Sequence, residues 1–507
     1  MKAILAHDLG TTGNKATLFD TQTGRMIASA YQPYDTAYPQ SNWAEQNADD
    51  WQRALFECTR RLLDTSGLAA GEIAAVSFSG HMQGVLPVDR YGTPLRTAII
   101  WADQRATEQA AQIANRCGKS QVYRRTGCQV SASYTAAKLM WIRDRQPDLY
   151  RRTFKVLQAK DYAAYLLTGV WATDYSDASG TQLFDLAARC WATDLIEALE
   201  LDPDLFPHAY PSTQVIGRVT PQAAGQTGLL AGTPVVIGGG DGACATVGAG
   251  AVQPGDAYNY IGSSAWIAVA TDQPLIDDQE RTFTFCHLDP ELYFSVGTTQ
   301  AAGGSYGWLE RLLRKGAEAD YQTLDAQAAQ TPPGANGLLF LPHLLGERSP
   351  YWNPLARGAF VGLAMPHERG ALARAVLEGV AFNMRLTLDA LRENGVKIDR
   401  MRLIGGGAQS ALWRQILADV YGLPILLPAL TVEATALGAA LAGGVGIGIY
   451  PDLRAIRQII PAEQAERPNA VYQTRYQTLY TLYQETYRAL EPIMAQLAAL
   501  QADTDIF

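Results

Sequence analysis

The sequence has no Lys- or Arg-rich run, no pair of cysteines at CxxC spacing, and no long apolar stretch free of glycine. Each absence removes a class of function. With 41 Lys and Arg against 50 Asp and Glu, the formal net charge is −9 and the pI is near 5.3. No basic field exists to hold a polyphosphate backbone, so nucleic acid is not an expected partner. The six cysteines, Cys58, Cys117, Cys128, Cys190, Cys244 and Cys286, stand singly. That scatter indicates neither a zinc site nor a disulfide framework and fits reduced thiols in the cytoplasm. The amino terminus reaches Asp8 after only a few apolar residues, too few for a signal-peptide core, so export is not expected. The longest uncharged run, Ala434 to Pro451, is interrupted by Gly438, Gly443, Gly444, Gly446 and Gly448. It predicts a buried helix followed by a turn, and no membrane partner.

What remains is a long chain of ordinary composition. Its 507 residues exceed the length at which one hydrophobic core stops growing, so two large domains are expected. A charged fraction of 18% and a hydrophobic fraction of 48% predict a globular fold nearly throughout. One local design occurs twice. Ala3 to His7 reads as a strand, Asp8-Leu9-Gly10-Thr11-Thr12-Gly13-Asn14 as a small-residue turn, and Lys15 to Asp20 as a returning strand. About 250 residues later, Asp256 to Ile261, Gly262-Ser263-Ser264 and Ala265 to Ala270 repeat that order. A weak duplication at half the chain length predicts two similar domains, 1–248 and 249–507, each offering a tip to a shared cleft. The Gly- and Ala-rich stretch Val247 to Pro254 marks the boundary and could serve as a hinge. Predicted strands (Ala74 to Ser79, Pro234 to Ile237, Arg402 to Ile404) alternate with amphipathic stretches such as Ala371 to Leu391, which points to α/β architecture with mixed sheets. The tail, Tyr472 to Ala502, is apolar at helical spacing and predicts a closing helix.

Four motifs could carry chemistry. Asp8-Leu9-Gly10-Thr11-Thr12 puts a carboxylate at a strand end ahead of exposed N–H groups and hydroxyls, parts that suit a phosphate and its Mg²⁺. It is no Walker A loop, and alone it reads equally as a polar hairpin turn; the second tip at Gly262-Ser263-Ser264 favours the phosphate reading. In Gly238-Gly239-Gly240-Asp241-Gly242 the acid follows an apolar strand, where α/β proteins bind ligands, and could accept a hydroxyl proton as that oxygen attacks phosphorus. An Asp that merely bonds its own turn backbone is the other reading. Ile404-Gly405-Gly406-Gly407-Ala408 would let a flat adenine or ribose approach the backbone, or would serve close helix–strand packing. Ser79-Gly80-His81-Met82-Gln83-Gly84 offers directional hydrogen bonds of the kind a sugar needs, with a structural role the more common one for His81.

In this order the motifs resemble the FGGY family of carbohydrate kinases, within the larger superfamily of sugar kinases, chaperone ATPases and actin. The likeness runs from Ala3 to about Leu490 and includes Thr135-Ala136-Ala137-Lys138-Leu139-Met140-Trp141-Ile142, Gly358 to Leu363 and Arg374 to Gly379. It implies two actin-like (ribonuclease H-like) α/β domains with a nucleotide cleft between them, and ATP-dependent phosphorylation of a small sugar. Within the family the chain is most similar to the xylulokinases, through Ala98-Ile99-Ile100-Trp101-Ala102-Asp103-Gln104-Arg105, Lys160-Asp161-Tyr162, Ser176 to Thr181 and Gly346-Glu347-Arg348-Ser349-Pro350. The resemblance implies D-xylulose as the sugar, with gluconate, L-ribulose, L-fuculose or erythritol as alternatives. It makes Asp241 the general base and Asp8 the Mg²⁺-side carboxylate, the two catalytic acids. Met82, Gln83, Trp101, Asp103 and Asp241 then contact the sugar. Gly10, Thr11, Thr12, Lys15, Gly262, Ser263, Gly406, Gly407, Ala408 and Ser410 contact the nucleotide. Gln83 and Gly242 depart from the xylulokinase pattern, which commonly has His and Asn there, and this bears on which sugar fits. An actin- or chaperone-like ATPase module is the reading from another class; it would need no sugar pocket. No heptad or long apolar edge declares a homodimer, which stays open as a partner.

Overall fold

A computed structural model describes residues 2–314, 320–429 and 433–502. Two mixed seven-stranded sheets dominate it. The first contains β1 (Ala3–Leu9), β2 (Gly13–Asp20), β3 (Met26–Pro33), β4 (Ile73–Gly80), β5 (Val215–Arg218), β6 (Pro234–Val236) and the short β7 (Gly239–Gly240). Its order is β5-β6-β4-β1-β2-β3, with β7 also paired to β4. The second contains β8 (Ala257–Ile261), β9 (Ala265–Thr271), β10 (Phe283–Cys286), β11 (Tyr293–Thr299), β12 (Met401–Ile404), β13 (Ile425–Pro428) and β14 (Ala462–Glu466), in the order β10-β11-β9-β8-β12-β13-β14.

The two sheets share a plan. In each, three antiparallel strands (β3-β2-β1; β11-β9-β8) continue into two parallel neighbours (β4 and β6; β12 and β13) and an antiparallel edge (β5; β14). The duplication expected from the two hairpins therefore extends through whole sheets. The central strands are buried on both faces, as in β1 (AILAHDL), because helices cover both sides.

The helices that matter here are α1 (Ala48–Ser66), α2 (Thr135–Arg145), α3 (Asp241–Gly248), α4 (Gly303–Leu313), α5 (Arg369–Glu393), α6 (Ala411–Tyr421), α7 (Ala434–Gly446) and α8 (Ala470–Ala502). The helix expected within 371–391 forms as α5, but it is buried almost all round instead of on one stripe. The expected tail helix is α8, whose Tyr476, Tyr483 and Tyr487 are buried against the second half.

The run Ala434 to Pro451 is α7 followed by a turn, as expected, and among the described residues no helix is long and apolar enough to cross a membrane. Its position is less expected. α7 follows β13 in the chain yet packs on the first sheet, where a Cβ on Gly443 would come within 3.1 Å of Ile4 and Ser77. α3 does the converse: Thr246 Oγ1 donates to Tyr258 Oη on the second sheet (3.2 Å), and Gly242 faces Phe294. The two helices cross at glycines, since a Cβ on Gly248 would lie 1.8 Å from the Ala434 carbonyl and one on Gly438 2.0 Å from that of Cys244. A third core cluster, with Ile4, Met82, Tyr258 and Ile404, fills the space between the sheets around this pair. The long excursion between β4 and β5 reaches over to β10, where the Thr284 N–H donates to the Gly127 carbonyl (2.9 Å).

Candidate active site

The first tip is built by short-range geometry. β1 and β2 pair with Asp8 opposite Lys15, and the Gly10 N–H donates to the Gly13 carbonyl (3.0 Å) to close the turn. A Cβ on Gly13 would fall 2.6 Å from the Tyr31 ring, so the position admits only glycine. Two tyrosines brace the tip from behind: Tyr34 Oη donates to the Gly10 carbonyl (2.6 Å) and Tyr31 Oη to that of Thr12 (2.8 Å). Asp8 Oδ1 is buried with no hydrogen-bond partner among the described residues. Burial pushes the Asp8 carboxyl up to about 6, against the opposing pull of the Ser79 hydroxyl and Lys15. Lys15 Nζ itself is engaged by the Glu433 carboxylate at the start of α7.

The second tip lacks charge. The Gly262 N–H donates to the Ser264 carbonyl (2.9 Å), and the carbonyls of Gly262 and Ser263 accept from Gly303 and Ala302 at the start of α4 (2.9 and 2.8 Å). The tip is thereby clamped to a helix start, and both of its serines line the cleft.

Asp241 opens α3 at the end of β7, which pairs alongside Ser79 and Gly80 of β4. Its Oδ1 accepts from the Gly242 N–H (2.7 Å). Burial, then repulsion from Asp8, pushes the Asp241 carboxyl up to about 7. Such a group can hold or release a proton near neutrality. The turn that presents it is fixed from below: the Gly240 N–H donates to Ser176 Oγ (2.9 Å), and Ser176 Oγ donates to Asp174 Oδ2 (2.6 Å). Asp174 also pairs with the buried Lys160 (2.9 Å).

A cavity of about 560 Å³ opens between the tips. From the first half it is lined by Asp8, Gly10, Met82, Gln83, Trp101 and Asp241, and from the second by Ser263, Ser264, an aromatic wall with Trp266 and Phe294, and Arg348. Met82 packs on the turn before Asp241, where a Cβ on Gly240 would lie 2.5 Å from Met82 Cγ. Gln83 takes a positive φ of 68°, and its carbonyl accepts from Lys138 Nζ (3.1 Å). Lys138 also donates to the Ile100 carbonyl (2.7 Å), so one buried ammonium on α2 holds both turns that carry Gln83 and Trp101. Burial pushes that ammonium down to about 7. Trp101 Nε1 donates to Thr11 Oγ1 (2.9 Å).

Seven expected residues thus meet at one cavity: Asp8, Gly10, Met82, Gln83, Trp101, Asp241 and Ser263. Thr11, Thr12, Lys15 and Gly262 stand at or beside the tips without lining it. Asp103 does not reach the cavity. It is fully buried, accepts from the Ala44 N–H (2.6 Å), and pairs with Arg105 (2.6 Å), whose guanidinium lies 3.6 Å from the Trp43 ring centre. Its oxygens are committed to that structural cluster. Gly406, Gly407 and Ala408 form a short turn after Ile404, which does line the cavity; open space lies over Gly406. Ser410 caps α6 by accepting from the Trp413 N–H (3.2 Å) and donates to Asp325 (2.6 Å), so its hydroxyl is occupied. His81 is buried edge-on to Trp51, and burial pushes its ring down to about 4, a neutral structural imidazole. Sequence reasoning missed the aromatic wall and Arg348. The available signal was the period-two pattern Phe294, Val296, Thr298, Gln300, which puts one face of β11 on the cleft.

Comparison with known proteins gives a consistent result. Residues 3–248 match the N-terminal domain of the FGGY family of carbohydrate kinases, and residues 257–447 its C-terminal domain. The xylulose kinase of Bacillus subtilis is 32% identical over 488 residues, 96% of this chain and 97% of that protein. A crystal structure of xylulose kinase from Rhodospirillum rubrum superposes with a TM-score of 0.91 at 31% identity, covering 97% of this chain and all of that one (100%). A gluconate kinase structure from Lactobacillus acidophilus gives 0.89 at 29% identity, covering 96% and 98%.

Proposed function

Since the chain belongs to the FGGY family of carbohydrate kinases, we propose that it phosphorylates an open-chain sugar with ATP, and that the sugar is D-xylulose, giving D-xylulose 5-phosphate. The observation that carries this is the placement of Asp241, a carboxylate shifted towards neutrality in one cavity with Asp8, two phosphate-type tips and an aromatic wall. Asp241 takes the proton of the terminal hydroxyl as that oxygen bonds to the γ-phosphorus. The bond from that phosphorus to the β–γ bridging oxygen breaks, and ADP leaves. Such general-base help contributes about 10²–10⁴-fold. Alignment and donors aimed at the transferring group supply most of the rest.

The tips hold the phosphates through Gly10, Thr11, Thr12, Gly262 and Ser263, and Lys15 turns from Glu433 towards them. Gly406, Gly407 and Ala408 offer a flat approach to the nucleoside, and the division between halves lies at 248/249. Among the described residues no cluster of three or more His, Cys, Asp or Glu could hold a metal alone. The orphaned Asp8 Oδ1 nevertheless fits Mg²⁺, an ion held by one or two carboxylates together with substrate phosphates. When bound, Mg²⁺ would supply neutralising charge to those phosphates.

The test is ADP release from ATP·Mg²⁺ with D-xylulose, L-ribulose, L-fuculose, gluconate, glycerol, erythritol and no sugar. A rise confined to D-xylulose is expected. A rise with another sugar would replace the substrate and keep the mechanism, whereas turnover indifferent to sugar would overturn the kinase reading.

A further inference from the structure

Arg348 is a half-buried cation in the wall of the candidate active site. Its backbone is fixed, because the Arg348 N–H donates to Glu347 Oε1 (2.8 Å) and the same buried carboxylate accepts from Thr299 Oγ1 (2.7 Å) and Asn383 Nδ2 (2.8 Å). Its guanidinium lies 5.9 Å from the ring centres of Phe283 and Trp352. Among the described residues it forms no ion pair and no side-chain hydrogen bond. Lys15, beside the first tip, is by contrast paired with Glu433. Folding has held this charge in place without giving it an acceptor.

Strand order tells which end of the cleft it serves. Phe283, under Arg348, lies on β10 at one edge of the second sheet, while Ile404 and the glycine turn lie on β12, beyond β11, β9 and β8. The second tip, between β8 and β9, stands in the middle. Arg348 is therefore on the side away from the proposed nucleoside turn, where the excursion carrying Gln83 and Trp101 closes over β10.

A guanidinium offers five donors and no acceptor, so it is best satisfied by an oxygen that only accepts. A hydroxyl must dispose of its own proton; a ketone or carboxylate oxygen has none. We propose that Arg348 contacts the substrate and selects for a ketone or carboxylate oxygen on the carbon chain away from the phosphorylated hydroxyl. Open-chain ketoses and aldonates then form the substrate class, and the matching alditols are discriminated against. This rests on the kinase reading above and names the group that gives it specificity.

The test compares D-xylulose and D-gluconate with xylitol and D-arabinitol, the two alditols made by reducing the D-xylulose ketone. Wild type should favour the ketose or the aldonate over both alditols by at least about tenfold in kcat/KM, and which of the two it favours distinguishes ketone from carboxylate. Arg348→Met should lower kcat/KM for that substrate about 10–100-fold, mainly through KM, while the alditols stay within about threefold and the KM for ATP is unchanged. Arg348→Lys, which keeps the charge but loses the planar fork, should show the same split at smaller size, and it carries the test if the Met variant fails to bind ATP. Equal losses on all four substrates, no loss on any, or alditols used by wild type as well as the better of the ketose and the aldonate would each overturn the proposal. Absence of sugar-dependent ADP release in wild type would instead defeat the kinase reading, and a sugar-dependent rise with intact Arg348 selectivity separates the two.

Discussion

The two sheets follow one plan but treat charge in opposite ways. On the first, Asp8 stands next to last on β1 with an oxygen that has no partner among the described residues, and Asp241 starts α3 facing the cavity. On the second, the next-to-last residue of β8 is Tyr260, and the acid before α7, Glu433, is bound to Lys15. Glu433 is the topological counterpart of Asp241, since each stands between the second parallel neighbour of its sheet and the crossing helix. The contrast teaches that duplication supplies a frame, while chemistry comes from leaving Asp241 without the cation that its counterpart Glu433 has. The half with free carboxylates raises their pKa; the other half supplies small residues, backbone and a neutralised acid.

Breaking the matched pair of acids should give the largest difference. Asp241→Asn is expected to lower kcat about 10³-fold with the KM for ATP little changed, while Glu433→Gln changes kcat less than about fivefold. Steady-state kinetics on both variants checks this, and comparable losses would end the contrast. Asp8→Asn should cost about 10²-fold, against about tenfold or less for Ser263→Ala at the other tip, because a charge in the cleft outweighs one neutral hydroxyl.

The helix crossing should be sensitive to added volume, and the turn beyond α7 should not. Gly438→Val would drive a side chain into the Cys244 carbonyl and cost about 2–4 kcal/mol, read as a lower midpoint in urea unfolding, whereas Gly448→Ala, with open space around it, should cost about 1 kcal/mol from its positive φ alone.

The smallest expected effect is on pH dependence. Asp241 is raised to about 7 in part by Asp8, so kcat/KM for the sugar should fall as pH drops below about 7, and Asp8→Asn should move that limb to lower pH. The stability sign is fixed too. Both carboxyls are harder to ionise folded than unfolded, so their contribution is full below about pH 4 and is lost as pH rises through about 6 for Asp8 and 7 for Asp241. Asp241→Asn should remove part of that loss and stabilise the free protein at pH 8 by on the order of 1 kcal/mol. Thermal unfolding across pH 4–8 measures it.

Much of the site was legible in the sequence where it depended on neighbours in the chain. The tips at Gly10 to Thr12 and Gly262 to Ser264, and Asp241 after an apolar strand, are local patterns whose backbone geometry follows from glycine and strand alternation. Asp103 shows the limit. Its segment reads as polar and strand-flanking, but its carboxylate turns to Ala44 and Arg105, partners chosen by the fold. Ser410 was placed at the nucleotide turn, and the structure adds a competing task, the cap of α6.

The sequence by itself determined two α/β halves, two small-residue tips, a cleft acid and the buried, glycine-broken helix at 434, because each rests on periodicity and residue type over a few turns of chain. Only the tertiary structure decided that α3 and α7 exchange sheets, that Lys138 ties the turns of Gln83 and Trp101, that Glu433 takes up Lys15, and that the Arg348 guanidinium has no ion-pair or hydrogen-bond partner among the described residues. Those are contacts between residues far apart in the chain, set by how whole sheets pack, and no local pattern encodes them.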